Sequence, residues 1–310
     1  MHKKITTLVV SNEHDYTTDL VCIELQKRDK KYFRLNRDAF SKLRVDFNIN
    51  RGVLRIHTRE DEIVIDSSLQ SVYFRAPTYL RETFMKRFST EEQLYNSQWM
   101  AFLRNLTFFE DAKWMNNPND TYKAENKLFQ LKAAAELGFR IPDTWVGNSD
   151  QVQFPNKSIA IKSLDTAIFT VDDREAFFYT NILTPQELSG YTIDLCPVVI
   201  QQNLTPKIDY RVTVICETIF AVKILLNDVG IEGDWRKHKE TLSYVSCDLP
   251  SEVKMKCFAL MERLNLRFAG IDLAFSDDDF FFIEINPTGE WAWLVDSAGQ
   301  DIHNAISGAL

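Results

Sequence analysis

GIDLAFSDDDFFFIEINPTGEW, residues 270–291, reads as two apolar strands joined by the acidic turn Asp277-Asp278-Asp279. Asp272 falls at the end of the first strand, Glu284 and Asn286 at the end of the second. In an antiparallel hairpin these ends can lie side by side. Strand side chains alternate between faces, so Glu284 and Asn286, two apart, share one. Glu284 is embedded among Phe281, Phe282, Ile283 and Ile285. A carboxylate in such a strand must be paired or metal-bound, because ionised groups are costly to bury alone. Three hard oxygen donors on one spot are what magnesium bound to nucleotide phosphates requires. Asp272, Glu284 and Asn286 are therefore the expected metal ligands, and Asp277 to Asp279 a solvated turn.

Outward from this hairpin the chain alternates irregularly between strands and helices. Ile5 to Val10 reads as a buried strand feeding a helix that carries Leu20, Ile23 and Leu25. Four short strands follow in YFRLNR, VDFNIN, VLRIHT and EIVIDS, then SVYFRAP, stopped by Pro77. Thr90 opens a long helix with Gln93 in capping-box position and a stripe of Leu94, Met100, Phe102, Leu106 and Phe109. Asn116 to Asn119 reads as a linker. Residues 126–146 give a helix closed by Gly138 and an extended exit fixed by Pro142. Strands SIAIKSL, AIFTV, AFFYTN, PVVIQQNL, DYRVTVIC and TIFAVKILL, and an amphipathic helix over 252–264, lead back to the hairpin. Mixed rather than strictly alternating elements predict α+β layers. The expected division is 1–115, 116–198 and 199–310.

The 310 residues leave room for such domains, and 45% hydrophobic with 26% charged residues is ordinary for a globular protein. A net charge of −8 argues against a general nucleic-acid footprint. The odd set Cys22, Cys196, Cys216, Cys247 and Cys257 contains no CxxC pair, which predicts reduced thiols rather than a disulfide framework or zinc site. The apolar run ITTLVV is short for a signal peptide, and no stretch is long enough to cross a bilayer. A cytoplasmic protein with no nucleic-acid or membrane partner is expected, and a homodimer on base rates.

The pairing of Ile271-Asp272 with Glu284-x-Asn286-Pro287 resembles the magnesium-binding hairpin of the ATP-grasp superfamily. Other elements match in order. Lys127 and Lys162 resemble the two ATP-binding lysines of that superfamily, and Gln201, Gln202 and Asn203 the adenine-reading stretch. Asp209-Tyr210-Arg211-Val212 resembles its D-x-R-V strand, and Asp234-Trp235-Arg236 its later D-[FW]-R element. The resemblance implies an ATP-grasp fold with an N-terminal pre-ATP-grasp domain, ATP and Mg2+ as cofactors, and an acyl phosphate intermediate. Phosphoryl transfer to a carboxylate brings two anions together, so Arg211, Arg236 and Lys223 are the expected catalytic cations, with Lys162 assisting.

INPTGEWAWL, YFRAP around Arg75, and GFRIPDTWVGN are similar to stretches of the ATP-grasp maturases of graspetides, the microviridin-type ω-ester and ω-amide peptides. This implies a precursor peptide, with leader and acidic core, as partner. Its Asp or Glu side chains would be activated and joined to Ser, Thr or Lys. The alternative is a ligase adding an amino acid, as in ribosomal-protein glutamate ligases. The loop after Lys162 lacks the phosphate-covering glycines of many relatives. Trp291 and Trp293 suit either core packing or a wall facing substrate. The strands between 31 and 75 offer an edge for a leader peptide. His14, His57, His238 and His303 read as ordinary, His238 being nearest to Arg236.

Overall fold

The computed structural model describes residues 2–75, 89–149, 158–165, 168–171, 174–177, 179–188, 190, 194–236 and 241–310. Pro77, His238 and parts of the loop after Lys162 lie outside the described residues. The chain opens with β1 (His2–Lys4), β2 (Thr7–Ser11), α1 (Tyr16–Lys27), β3 (Tyr32–Asn36), β4 (Arg44–Asn48), β5 (Val53–His57), β6 (Glu62–Ile65) and β7 (Ser71–Phe74). α2 (Thr90–Asn105) and β8 (Lys113–Met115) follow. β3-β2-β7-β8 form a parallel sheet, and β1-β6-β5-β4 a second sheet in which only the β1–β6 pair is parallel. The VDFNIN to EIVIDS pieces thus build this second sheet. Leu8, Leu35, Leu54, Ile65, Val72 and Leu103 share a core here.

Local chemistry sets the element ends. The Asp15 carboxylate accepts the Thr18 N–H and caps α1. At α2 the cap is Ser89 and its capping-box partner Glu92, one residue ahead of the expected Thr90 and Gln93 pair. Of the predicted stripe Leu106 and Phe109 are buried, whereas Leu94 is exposed and Leu103, outside it, is buried. Asn116 to Asn119 is no slack linker. Asn116 is buried, and Asn117 caps α3 (Pro118–Ala124). Asn126 caps α4 (Lys127–Glu136), and Gly138, at φ 81°, lets the chain leave it.

β9 (Thr144–Gly147), β10 (Ile159–Lys162), the hairpin β11 (Ile168–Val171) and β12 (Arg174–Phe177), β13 (Asn181–Leu183), α5 (Pro185–Leu188) and β14 (Val198–Gln202) come next. β13-β10-β14-β9 form one antiparallel sheet. The remainder is β15 (Ile208–Ile215), β16 (Thr218–Leu226), β17 (Leu242–Ser246), α6 (Ser251–Arg263), β18 (Phe268–Ser276), β19 (Asp279–Asn286), α7 (Ala292–Ala298) and α8 (Ile302–Ala309). Its five strands run β17-β16-β15-β18-β19, all antiparallel. Asp277 and Asp278, at φ 50° and 60°, make the β18–β19 turn, while Asp279 already pairs with Ser276. One face of this sheet packs on α4 and α6 through Val212, Ile271, Phe282 and Ile285. The other packs on α1 and α8 through Ile215, Val222, Phe268 and Trp291. Among the described residues no helix is long and apolar enough to cross a membrane.

Candidate active site

Strand register assembles the site. Arg211 on β15 lies opposite Asp272 on β18, which lies opposite Glu284 on β19, and Asn286 lies opposite Gly270. All four predicted side chains therefore share one face. Asp272 sits in the middle of its strand, not at the end as expected. The register slips between Asp272 and Leu273, so that Leu273 faces Phe282 and Ile283 is the extra residue. This bulge resets the alternation. Phe282 turns into the core with Ile285, while Glu284 keeps to the polar side. In a regular strand Phe282 and Glu284 would have shared a face.

Two amides hold the hairpin. Gln130 on α4 accepts the Ile285 N–H at 3.2 Å and donates to the Ile285 carbonyl at 2.8 Å, between the two ligand positions. Asn116 donates to the carbonyls of Phe268 and Pro287 at 2.8 and 3.0 Å and accepts the N–H groups of Arg267 and Phe268. Sequence reasoning missed both, because a buried amide bridging distant strands leaves no local pattern.

The polar face opens on a cavity of about 1280 Å³. Lys127, in the first turn of α4, reaches the Ser163 carbonyl at 3.3 Å and Glu284 at 3.5 Å. Lys162, ending β10, donates to Gln201 on β14 at 2.7 Å. Burial, reinforced by the charges of Lys127, Lys207 and Arg236, pulls the Lys162 ammonium down to about 8, against the opposing pull of Glu284. Gln202 and Asn203 also line the cavity, beside Asp143 and Ser158. Arg236 lies 3.1 Å from Glu284 and 3.6 Å from Asp272. Asp234 positions it by accepting the Arg236 N–H at 3.0 Å. Burial would raise Glu284, yet Lys127, Arg236 and Lys162 together hold it well below the usual carboxylate range. Burial and the charge of Glu284 push Asp272 up, opposed by Arg211.

Arg211 donates to Asp272 at 2.9 Å and to the Glu290 carbonyl at 3.2 Å. Its guanidinium lies flush against two glycines. A Cβ at Gly270 would sit 2.3 Å from Nη2, and one at Gly289 2.4 Å from the same atom. Lys223 is a correction. It pairs in register with Tyr210, with its ammonium 6.0 Å from that ring, on the opposite face from Arg211, and it does not line the cavity. One strand position separates the two faces, and Lys223 is at the wrong parity. Lys207 takes a place in the cavity wall instead, paired with the buried Asp209. Burial and nearby Asp272 raise Asp209, and Lys207 opposes them. The alternation Lys207-x-Asp209-x-Arg211 was the available signal.

Trp291 is wholly buried in the core, whereas Trp293 lines the cavity against Tyr244 and Trp235, with ring centroids at 4.8 and 5.8 Å. Arg75, buried from the N-terminal sheet, also lines it. Two carboxylates and an amide on one face suit a hard, oxygen-seeking divalent ion. Among the described residues no group of three His, Cys, Asp or Glu side chains gathers anywhere, and here the third donor is the Asn286 amide.

The layers and this site together define the ATP-grasp fold. No protein-family model matches the chain, and no curated protein matches it significantly. Solved structures do. The RiPP-associated ATP-grasp ligase of Chryseobacterium gregarium, in complex with ADP and a leader and core peptide, is 22% identical with a TM-score of 0.83, over 99% of this chain and 96% of that one. Macrocyclase MdnC of Microcystis aeruginosa MRC, bound with precursor peptide MdnA, is 22% identical with a TM-score of 0.83, over 100% and 99%. A RimK domain ATP-grasp protein of Sphaerobacter thermophilus is more distant, at 11% identity and a TM-score of 0.56 over 98% of both chains.

Proposed function

We propose that this chain is an ATP-dependent carboxylate ligase that phosphorylates Asp or Glu side chains of a precursor peptide and closes ester or amide cross-links. The observation that carries this is one sheet face, with Arg211 and Asp272 buried and Glu284 and Asn286 half-buried, set against Lys127, Lys162 and Arg236 across one cavity. The fold neighbours crystallised with ADP and with peptide support it.

Asp272, Glu284 and Asn286 would hold magnesium, which would supply positive charge against the nucleotide phosphates. Lys162 and Lys127 receive phosphate oxygens as point charges, while Arg211 and Arg236 offer flat guanidinium groups to the peptide carboxylate and the transferring phosphoryl group. Gln201, Gln202 and Asn203 supply polar edges for the base. Because Arg211 is confined by Gly270 and Gly289, its charge is in place before substrate arrives. The chain divides at 115/116. We place the second division after Gln202 rather than at 198/199, since β14 completes the central sheet.

Incubation with synthetic acidic peptides that carry Ser, Thr or Lys, together with ATP and magnesium, tests the reading by mass. Loss of one water per link is expected. A gain of an amino-acid mass points to the glutamate-ligase alternative, and unchanged peptide during ADP release contradicts both.

A further inference from the structure

Beyond Arg211 the cavity runs on to the N-terminal sheet, where none of the residues assigned above works. Asp15 caps α1, Thr17 stands in its first turn after β2, and Arg75 lies just past β7. These are the carboxyl ends of parallel strands, the edge at which α/β sheets bind ligands. The Arg75 side chain is only 6% exposed. It donates to the Thr288 carbonyl and to the Glu290 carboxylate, while its buried Nε has no hydrogen-bond partner and faces Asp15 at 3.9 Å. Glu290 joins the two halves. Its backbone carbonyl takes Arg211 Nη2 at 3.2 Å, and its carboxylate takes the Thr17 hydroxyl at 2.6 Å together with Arg75. That carboxylate is still 68% exposed on its side chain, despite two donors fixing its direction.

We propose that Glu290, oriented by Arg75 and Thr17, is the acceptor subsite, which receives the hydroxyl or amine of the peptide and takes its proton. The proposal rests on the carboxylate-ligase reading. The nucleotide side of the cavity is occupied by Lys127, Lys162 and Gln201, so the nucleophile needs another approach to the activated carbon. The Glu290 backbone carbonyl accepts from Arg211, the guanidinium beside which that carbon would lie. In the step, the lone pair of the nucleophile's oxygen or nitrogen forms the new bond to the acyl carbon. The carbon–oxygen bond to phosphate breaks, phosphate leaves with that electron pair, and the nucleophile's proton passes to the Glu290 carboxylate. Asp15 and Glu290 outnumber Arg75, so this end of the cavity also favours a lysine that arrives as its ammonium, which releases one proton to solvent to free its lone pair before the step above.

The test uses the full chain with ATP, magnesium, a synthetic acidic peptide that carries Thr and Lys and, in a parallel arm, hydroxylamine, a small nucleophile that needs no subsite. Glu290→Gln should retain hydroxamate formation on the peptide acid, which also reports that the variant is folded, yet close rings about 100-fold more slowly. Thr17→Val should slow the same step by a smaller factor, and Glu290→Asp should recover part of it. Ring closure by Glu290→Gln at the wild-type rate overturns the subsite. So does an equal loss of hydroxamate and rings, which would place Glu290 in the phosphorylation half. Should wild-type protein form neither hydroxamate nor ring, the ligase reading falls first and the subsite with it.

Discussion

The two faces of β15, β18 and β19 are built from the same strands and have opposite chemistry. On one, Val212, Ile271, Phe282 and Ile285 are sealed against α4 and α6. On the other, Arg211 and Asp272 are buried and Glu284 and Asn286 half-buried, all are charged or polar, and each has named partners. Apolar burial stabilises the sheet at about 25 cal/mol per Å² and asks nothing of geometry beyond fit. Buried charge is stable only while its partners stay in place. The polar face is therefore where small displacements should cost function, and the apolar face where changes should leave chemistry alone.

Four substitutions or conditions probe that contrast, from largest effect to smallest. Glu284→Gln removes the carboxylate on which Lys127 and Arg236 converge, and ADP formation should fall by at least about 100-fold in a coupled assay. Gly289→Ala puts a methyl group where the Arg211 guanidinium lies, and should lower kcat by roughly 10- to 100-fold with little change in ATP affinity. Unchanged kcat there would show that Arg211 tolerates displacement.

The third condition is pH. Lys162 sits at about 8 against an ordinary 10.5, so between these values the unfolded chain keeps a proton that the folded protein has released. This group's contribution to stability is complete above 10.5 and is lost as pH falls through about 8. Nucleotide binding, which calls on the ammonium, runs the other way. Its affinity should weaken above about pH 8 by up to about tenfold per unit, measured by titration at fixed magnesium. A flat profile from pH 7 to 9.5 would remove Lys162 from the phosphate site. Lys223→Ala, on the far face, should change kcat by less than about twofold, and a large loss would break the contrast between the faces.

Much of this site was legible because its parts are local. Glu284 and Asn286 share a face by simple alternation, and the strand around Lys162 is a short apolar run ending in a cation. What escaped depends on long-range register. The bulge at Ile283 decides which way Phe282 and Glu284 point, and nothing in FFFIEIN announces it. Lys223 failed because it sits one position out of phase with Arg211 across β15 and β16. Asn-Asn-Pro-Asn has turn composition and predicts a linker, whereas the Asn116 amide bridges Phe268 and Pro287 inside the protein. Glu290 and Arg75 lie far apart in the chain, so only the packed sheets could join them.

Calorimetric titration with ATP, in the presence and absence of magnesium, for the wild-type protein and Glu284→Gln, probes the charged face most directly. Wild-type protein should bind ATP strongly only with magnesium, and the variant should bind at the magnesium-free level throughout. Equal affinity in all four titrations would contradict a divalent-ion site at Asp272, Glu284 and Asn286.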